Sequence, residues 1–462
     1  MSWQFEAMRS IGALSLHALV TTLLGLAACG APTKATSPGS IVGDRRELPT
    51  VPVTAPDAGP RSPSVGEAPP APAFPRALAL GALAEGERIA DLSVLAQPGR
   101  FLLAWVTYFD GGGPLLRAAP RGGRKQTDAP PPQQQRGASV VVRALDAEGE
   151  AIGASNVISV KADSIGGVSL AAAQSAPEDA ALAWVGKDAG IGQVFVTRLS
   201  RSGEKLAQRM LTRSKEGCSD VALVGHKDGF IVAYVDSRDG GAGVYTAKVG
   251  KDLQRIGAER LVSRAKGEAS DVRMLTRGDE LVVAWAEARR NPELYGIFAA
   301  RLLTSDLSVR GDPTRVVLAP RHAKGIELGA LDDGVALGWV EDSVTGAATT
   351  NAPRTAALIR LDAALRGHAE PVRVALPVQA SSLALDCDHP CRVVVAGSEG
   401  DELTFYGFLY DGNLPQPAAR LASIPAVSTE DTNPVVSRDW LFFAEDNLHG
   451  AGRIRKAKLA WR

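Results

Sequence analysis

The sequence predicts an all-β chain, a seven-bladed β-propeller of four-stranded antiparallel blades closed by an N-terminal strand. Three observations carry that expectation. From residue 76 onward, short β-branched and aromatic runs alternate with Gly, Asp and Asn turns, and no long stretch keeps a 3.6-residue period. Apolar runs ending in an aromatic residue recur about every fifty residues. Each is followed by a second run in which a cation precedes an aliphatic residue.

The aromatic runs are "FLLAW" at Trp105, "AALAW" at Trp184, "FIVAY" at Tyr234, "LVVAW" at Trp285, "VALGW" at Trp339 and "WLFF" at Phe443. A weaker copy, "VVVAG", puts Gly397 in the aromatic slot. Seven copies result. The second marker reads Arg198-Leu199, Lys248-Val249, Arg301-Leu302, Arg360-Leu361 and Lys458-Leu459; Arg143 stands one residue out of step, and the sixth copy lacks the cation. The third copy displays the unit: "DVALVGH", a turn, "FIVAYVD", a Gly-rich turn, "GVYTAKVG", a turn, then "ERLVS". Four strands in meander order form one blade, and seven blades around an axis protect their edges by packing sheet on sheet. The last copy has only three strands before the chain stops, so "RALALGALAEG", residues 76–86, is expected to supply its fourth.

Ahead of the propeller, Met8-Arg9-Ser10 precedes an apolar run from Ile11 to Leu26 that is short for a membrane span. It reads as a secretory signal, residues 1–28, with translation starting at Met1 or Met8. The run ends in Leu26-Ala27-Ala28-Cys29-Gly30. This resembles the bacterial lipobox, and the resemblance implies that the Cys29 thiol receives the acyl chains (palmitate among them) that hold the protein to a membrane surface. Gly30 lacks the aspartate that retains such lipoproteins in the inner membrane, which points to the outer membrane. Residues 29–75 then form a Pro-rich tether too poor in large apolar residues to fold.

The repeats resemble the Ala-Trp, acid, Tyr and Arg repeats of secreted bacterial propeller-like proteins, including lipoproteins of the myxobacterial kind. The resemblance covers most of residues 76–462. It implies a fold and an envelope address rather than an activity.

Charge adds little, because 51 basic and 51 acidic residues leave no net field to favour nucleic acid. Two residues beyond the aromatic slot stand Asp236, Glu287, Glu341, Glu399 and Glu445, whereas copies one and two have Thr107 and Gly186 there. Equivalent positions in seven blades spread around a ring, while a general acid and base must converge on one atom. The repetition therefore favours turn capping or hydrogen bonding between neighbouring blades; a rim of acids that binds a cation or a basic partner is the alternative. These residues lie on the face that carries the turn after strand two, as does a basic insertion, residues 110–137. "CDHPC" lies at the opposite face. Its Cys387 and Cys391 favour a disulfide in an exported protein, and with His389 they offer at most three metal ligands. Cys218 is expected to be buried beside strand one of copy three.

No nucleophile elbow, phosphate loop or His-Glu-x-x-His run occurs. No catalytic residue, metal or cofactor is therefore nominated. The leading expectation is a lipid-anchored, non-enzymatic propeller that binds proteins or glycans at the envelope. The alternative is a propeller glycoside hydrolase, for which carboxylates must meet in one pocket within about 10 Å of each other.

Overall fold

The structure, a computed structural model, describes residues 87–461 apart from internal breaks, the longest being 110–137, 343–353 and 426–433. The signal, Cys29, the tether, the closing strand of residues 76–86 and the basic insertion lie outside the described residues. Within them the chain is entirely β, with seven antiparallel sheets. Six sheets have four strands in meander order and the seventh has three. The blades run Glu87–Ala162, Ile165–Met210, Cys218–Arg264, Glu268–Ala319, Lys324–Val374, Gln379–Pro425 and Val435–Lys458.

The first strands of successive blades touch one another, and that of blade 7 touches that of blade 1, so the ring closes. First strands thus surround the axis and fourth strands form the outer edges. Apolar clusters lie between blades; one joins Ile89, Leu92, Phe101 and Trp105 of blade 1 to Phe442 and Ile454 of blade 7.

Both sequence markers have physical roles. The aromatic that ends strand two stacks on a partner directly across on strand three: Trp184 on Phe195, Tyr234 on Tyr245, Trp285 on Phe298. Such directly opposed pairs favour one register. The acid slot of blade 2 is Gly186 because a Cβ there would stand 2.3 Å from the Trp184 ring. In blades 3, 4 and 5 the cation of strand three ties the blade to the next, whereas Arg143 and Arg198 bond within their own blades, to the Gly153 carbonyl and to Asp179. Lys248 Nζ donates to the Ser305 carbonyl at 2.9 Å, Arg301 Nη1 to the Ala363 carbonyl at 2.9 Å, and Arg360 Nη1 to Asn413 Oδ1 at 3.4 Å. Across the closing seam a different lysine, Lys456, two residues before the marker Lys458, donates from Nζ to the Glu148 carbonyl at 2.7 Å and to Glu150 at 2.8 Å.

One repeated feature has no obvious sequence signal. Leu253, Leu307 and Leu365, at the turn between strands three and four, have φ of 62°, 59° and 61°. A left-handed conformation costs a branched residue of order 1 kcal/mol or more. Here it is offset by burial, since each leucine is 2% exposed or less.

Candidate active site at the propeller axis

Each first strand of blades 1 to 6 has its pairing interrupted near its start. The register shifts fall between Ala90 and Leu92, Gly166 and Val168, Ser270 and Arg273, Lys324 and Glu327, and Ala380 and Ser382, and in blade 3 opposite Val235 and Asp236. An extra residue at a bulge turns its side chain out of the sheet. At these positions the sequence reads Asp91-Leu92, Gly167-Val168, Asp271-Val272 and Gly325-Ile326; in blade 3 the unpaired residue is Ser219, and Asp220-Val221 follows it. Asp91 and Asp271 hold positive φ values of 34° and 52°. Carboxylates in the bulges of blades 1 and 4, and beside the bulge of blade 3, thus come together at the axis.

There they line a cavity of about 590 Å³ together with Gly167, Arg273, Ser381 and Ser382. Val235 and Ser237, which flank Asp236, line it too, so it opens toward the face that carries the turn after strand two. Asp91 Oδ1 accepts from the N–H of Leu92 at 3.0 Å and Oδ2 from that of Val168, in the next blade, at 2.7 Å. Asp220 repeats this with Val221 at 2.8 Å and Val272 of the following blade at 2.7 Å. A Cβ on Gly167 would lie 3.0 Å from Asp220 Oδ1 and 3.3 Å from Asp91 Oδ2. Those two oxygens can be no farther apart than the two distances combined. Glycine at 167 is what leaves them room.

Blade 5 adds Glu327, whose Oε1 accepts from Arg273 Nε at 3.3 Å, while Arg273 Nη1 donates to the Val272 carbonyl at 3.1 Å. One guanidinium thus serves the surrounding carboxylates, and their field holds its proton more firmly than usual against the cost of burial. Burial pushes the Asp220 carboxyl up to about 7 despite Arg273. The same balance raises Asp91 and Glu327 above the ordinary carboxylate range. Such a cluster can hold and move protons near neutral pH.

The acids singled out in the sequence behave differently. Asp236 is fully buried and accepts from Ser214 Oγ at 2.8 Å, from the Arg238 N–H at 2.9 Å and from the Arg238 guanidinium, which also binds Glu259 and lies over the Tyr245 ring. Glu341, 1% exposed, accepts from Trp339 Nε1 at 2.9 Å and Arg373 Nε at 2.6 Å. Glu445 pairs with Arg455 Nε at 2.5 Å, and Glu399 lies 3.9 Å from Arg420 and accepts from the Tyr406 hydroxyl at 3.4 Å. Glu287 is buried. In four of the five cases an arginine of the same blade neutralises the acid, so these residues tie strand two to its own turn or outer strands. Asp236 also caps its turn. A cation or basic partner would have to displace those arginines.

Cys387 and Cys391 are bonded, at paired positions of one hairpin. The Cys387 sulfur fills the space against Gly329 of blade 5, where a Cβ would stand 1.9 Å away. Cys218 begins strand one of blade 3 and is buried, its thiol pushed up to about 12 by burial. Among the described residues no group of His, Cys, Asp and Glu has the geometry of a metal site.

No family model matches the chain, and no curated protein matches it. Solved structures do. An α-L-arabinanase of Penicillium chrysogenum, complexed with arabinobiose, is similar at 12% identity over 63% of this chain and 92% of that one, with a TM-score of 0.46. An α-L-arabinofuranosidase of Fusarium graminearum is similar at 9% identity over 82% of this chain and 98% of that one, with a TM-score of 0.43. A prolyl endopeptidase is similar at 14% identity over 82% of this chain and 49% of that one, with a TM-score of 0.47. Likenesses this distant carry no argument about activity, and the enzymes named act on different bonds.

Proposed function

We propose that the axial cavity is a glycan site at which the chain hydrolyses a glycosidic bond, and that the propeller works at the bacterial cell envelope, held through Cys29. The observation that supports this reading is the convergence of Asp91, Asp220, Asp271 and Glu327, from four blades, on one arginine beside one cavity. Paired carboxyls in glycosidases stand about 5–10 Å apart; the Asp91 and Asp220 oxygens fall inside the upper limit, and Asp271 lines the same cavity. Asp220, protonated up to a pH of about 7, is the proton donor to the leaving oxygen. Asp271 takes the proton from the attacking water. Arg273 keeps the acids from repelling one another.

The test is sugar release from a panel of polysaccharides, arabinan and bacterial envelope glycans among them, by the purified full chain. Turnover that falls at least a hundredfold in both Asp220→Asn and Asp271→Asn, with unfolding temperatures retained, supports hydrolysis. Turnover unchanged in both overturns it.

A second reading, glycan binding without turnover, is favoured by one observation: both oxygens of Asp91 and of Asp220 already accept backbone N–H groups. A panel member that binds without being cleaved selects it. The anchor has its own test, because Cys29→Ser should move the protein from the membrane to the soluble fraction.

A further inference from the structure

Large apolar side chains exposed to solvent are Ile152, Val157, Leu206, Ile256 and Leu261 among the described residues. All five stand on the outer strands of blades 1, 2 and 3 (Ala151–Ala162, Lys205–Met210 and Arg255–Arg264). Val157, Leu206 and Ile256 are 55%, 56% and 53% exposed. The outer strands of blades 4, 5 and 6 have none among the described residues.

Ile152, Leu206 and Ile256 share a place just past the turn from strand three, where the outer strand slips register against it. Gly153 and Gly257, at φ of 69° and 73°, follow two of them and make the bulge possible. These bulges break the hydrogen-bonding edge, which discourages another strand from adding there. What remains on offer is side chains.

The three edges are stitched side by side. Lys205 Nζ donates to the Ile158 carbonyl at 3.0 Å, and Asn156 Nδ2 to the Ser202 carbonyl at 3.1 Å, joining blades 1 and 2. Arg209 Nη1 donates to Gln254 Oε1 at 2.6 Å, joining blades 2 and 3. Interspersed with the apolar residues are Arg201, Lys205, Arg209, Arg255 and Arg260, all exposed. Three acids of the same strip are drawn into local structure: Glu204 Oε2 accepts from Ser200 Oγ, Asp252 from the Gln254 N–H, and Glu259 from Tyr234 and Arg238.

We propose that the outer edges of blades 1 to 3 form a surface that rests on an anionic lipid leaflet. Isolated leucines and isoleucines among arginines and lysines suit the boundary between headgroups and acyl chains, the cations meeting phosphates while the apolar tips enter below them. A protein interface would be expected to centre on aromatic side chains, and none of these five exposed residues is aromatic. The surface rests on the envelope reading only for the source of lipid. Its test leaves the anchor out.

Full-length protein carrying Cys29→Ser is mixed with vesicles of phosphatidylglycerol and phosphatidylcholine, or of phosphatidylcholine alone, and sedimented. Binding to the first at least tenfold stronger than to the second is expected. Adding Leu206→Ser and Ile256→Ser should weaken it at least fivefold with an unchanged unfolding temperature, and Arg201→Gln with Arg260→Gln should weaken it further. Absence of vesicle binding overturns the proposal. So does binding that the apolar substitutions leave intact, or retention on a soluble polyanion such as heparin without retention on vesicles. Should the Cys29 anchor prove wrong, vesicle binding by this variant still stands.

Discussion

Two sets of carboxylates repeat through this propeller, and they differ in company. The set at the end of strand two, from Asp236 to Glu445, is met by arginines of the same blade, four of the five visibly so. The set at the axial bulges, Asp91, Asp220 and Asp271, joined by Glu327, has a single arginine among four acids. Radial position is the cause. Strand two lies among its own outer strands, which can each bring a cation, while the axis gathers side chains from many blades into one space. A repeated acid away from the axis is a fold device, and the same residue type at the axis becomes a shared site.

Removing Arg273 should have the largest effect. Arg273→Met leaves several half-buried acids without a counter-charge, and a loss of about 3–5 kcal/mol in unfolding free energy is expected at pH 7. The loss should shrink at pH 5, where the raised carboxyls take up protons. Denaturant titrations at both pH values check it, and an equal loss at the two would separate Arg273 from the acids.

Asp220 gives the next effect. Its folded pKa of about 7 lies above the ordinary carboxylate value, so the folded chain binds this proton more tightly than the unfolded chain. The stability it contributes is full below a pH of about 4 and is lost as pH rises through about 7, at up to about 1.4 kcal/mol per pH unit. Asp91 and Glu327 add slopes of the same sign. Asp220→Asn should flatten the dependence.

Glu341→Gln tests the other set. It keeps an acceptor for Trp339 and leaves the half-exposed Arg373 to solvent, so a cost of about 1–2 kcal/mol is expected, with no change in axial ligand binding. Gly167→Ala should be the mildest, at about 1 kcal/mol, because its methyl meets the Asp91 and Asp220 oxygens at 3.3 Å or less and they must shift. A thermal melt reads either change.

The fold was legible because its markers recur: an aromatic slot, a cation slot and turn residues at a near-constant spacing. Cys387 and Cys391 were legible from separation and context. The axial site was not, although "ADL", "GGV", "SDV", "SDV" and "KGI" open the first strands in order. Those acids occupy three of seven copies, give way to glycine in two others and sit in or beside bulges, which break the two-residue period by which a strand is read. Arg273 and Glu327 have no repeat behind them at all. The exposed outer residues were hidden for the opposite reason, since Ile152, Leu206 and Ile256 look like ordinary core-facing strand residues until the bulges turn them out.

Ligand chemistry is assigned to the axial carboxylates and not to the acids of strand two. Calorimetric titration of the wild-type chain, Asp271→Asn and Glu341→Gln with whichever glycan of the panel the chain retains most tightly tests it directly. Affinity is expected to fall at least tenfold in Asp271→Asn and to be kept in Glu341→Gln. Affinity kept in Asp271→Asn and lost in Glu341→Gln would contradict it.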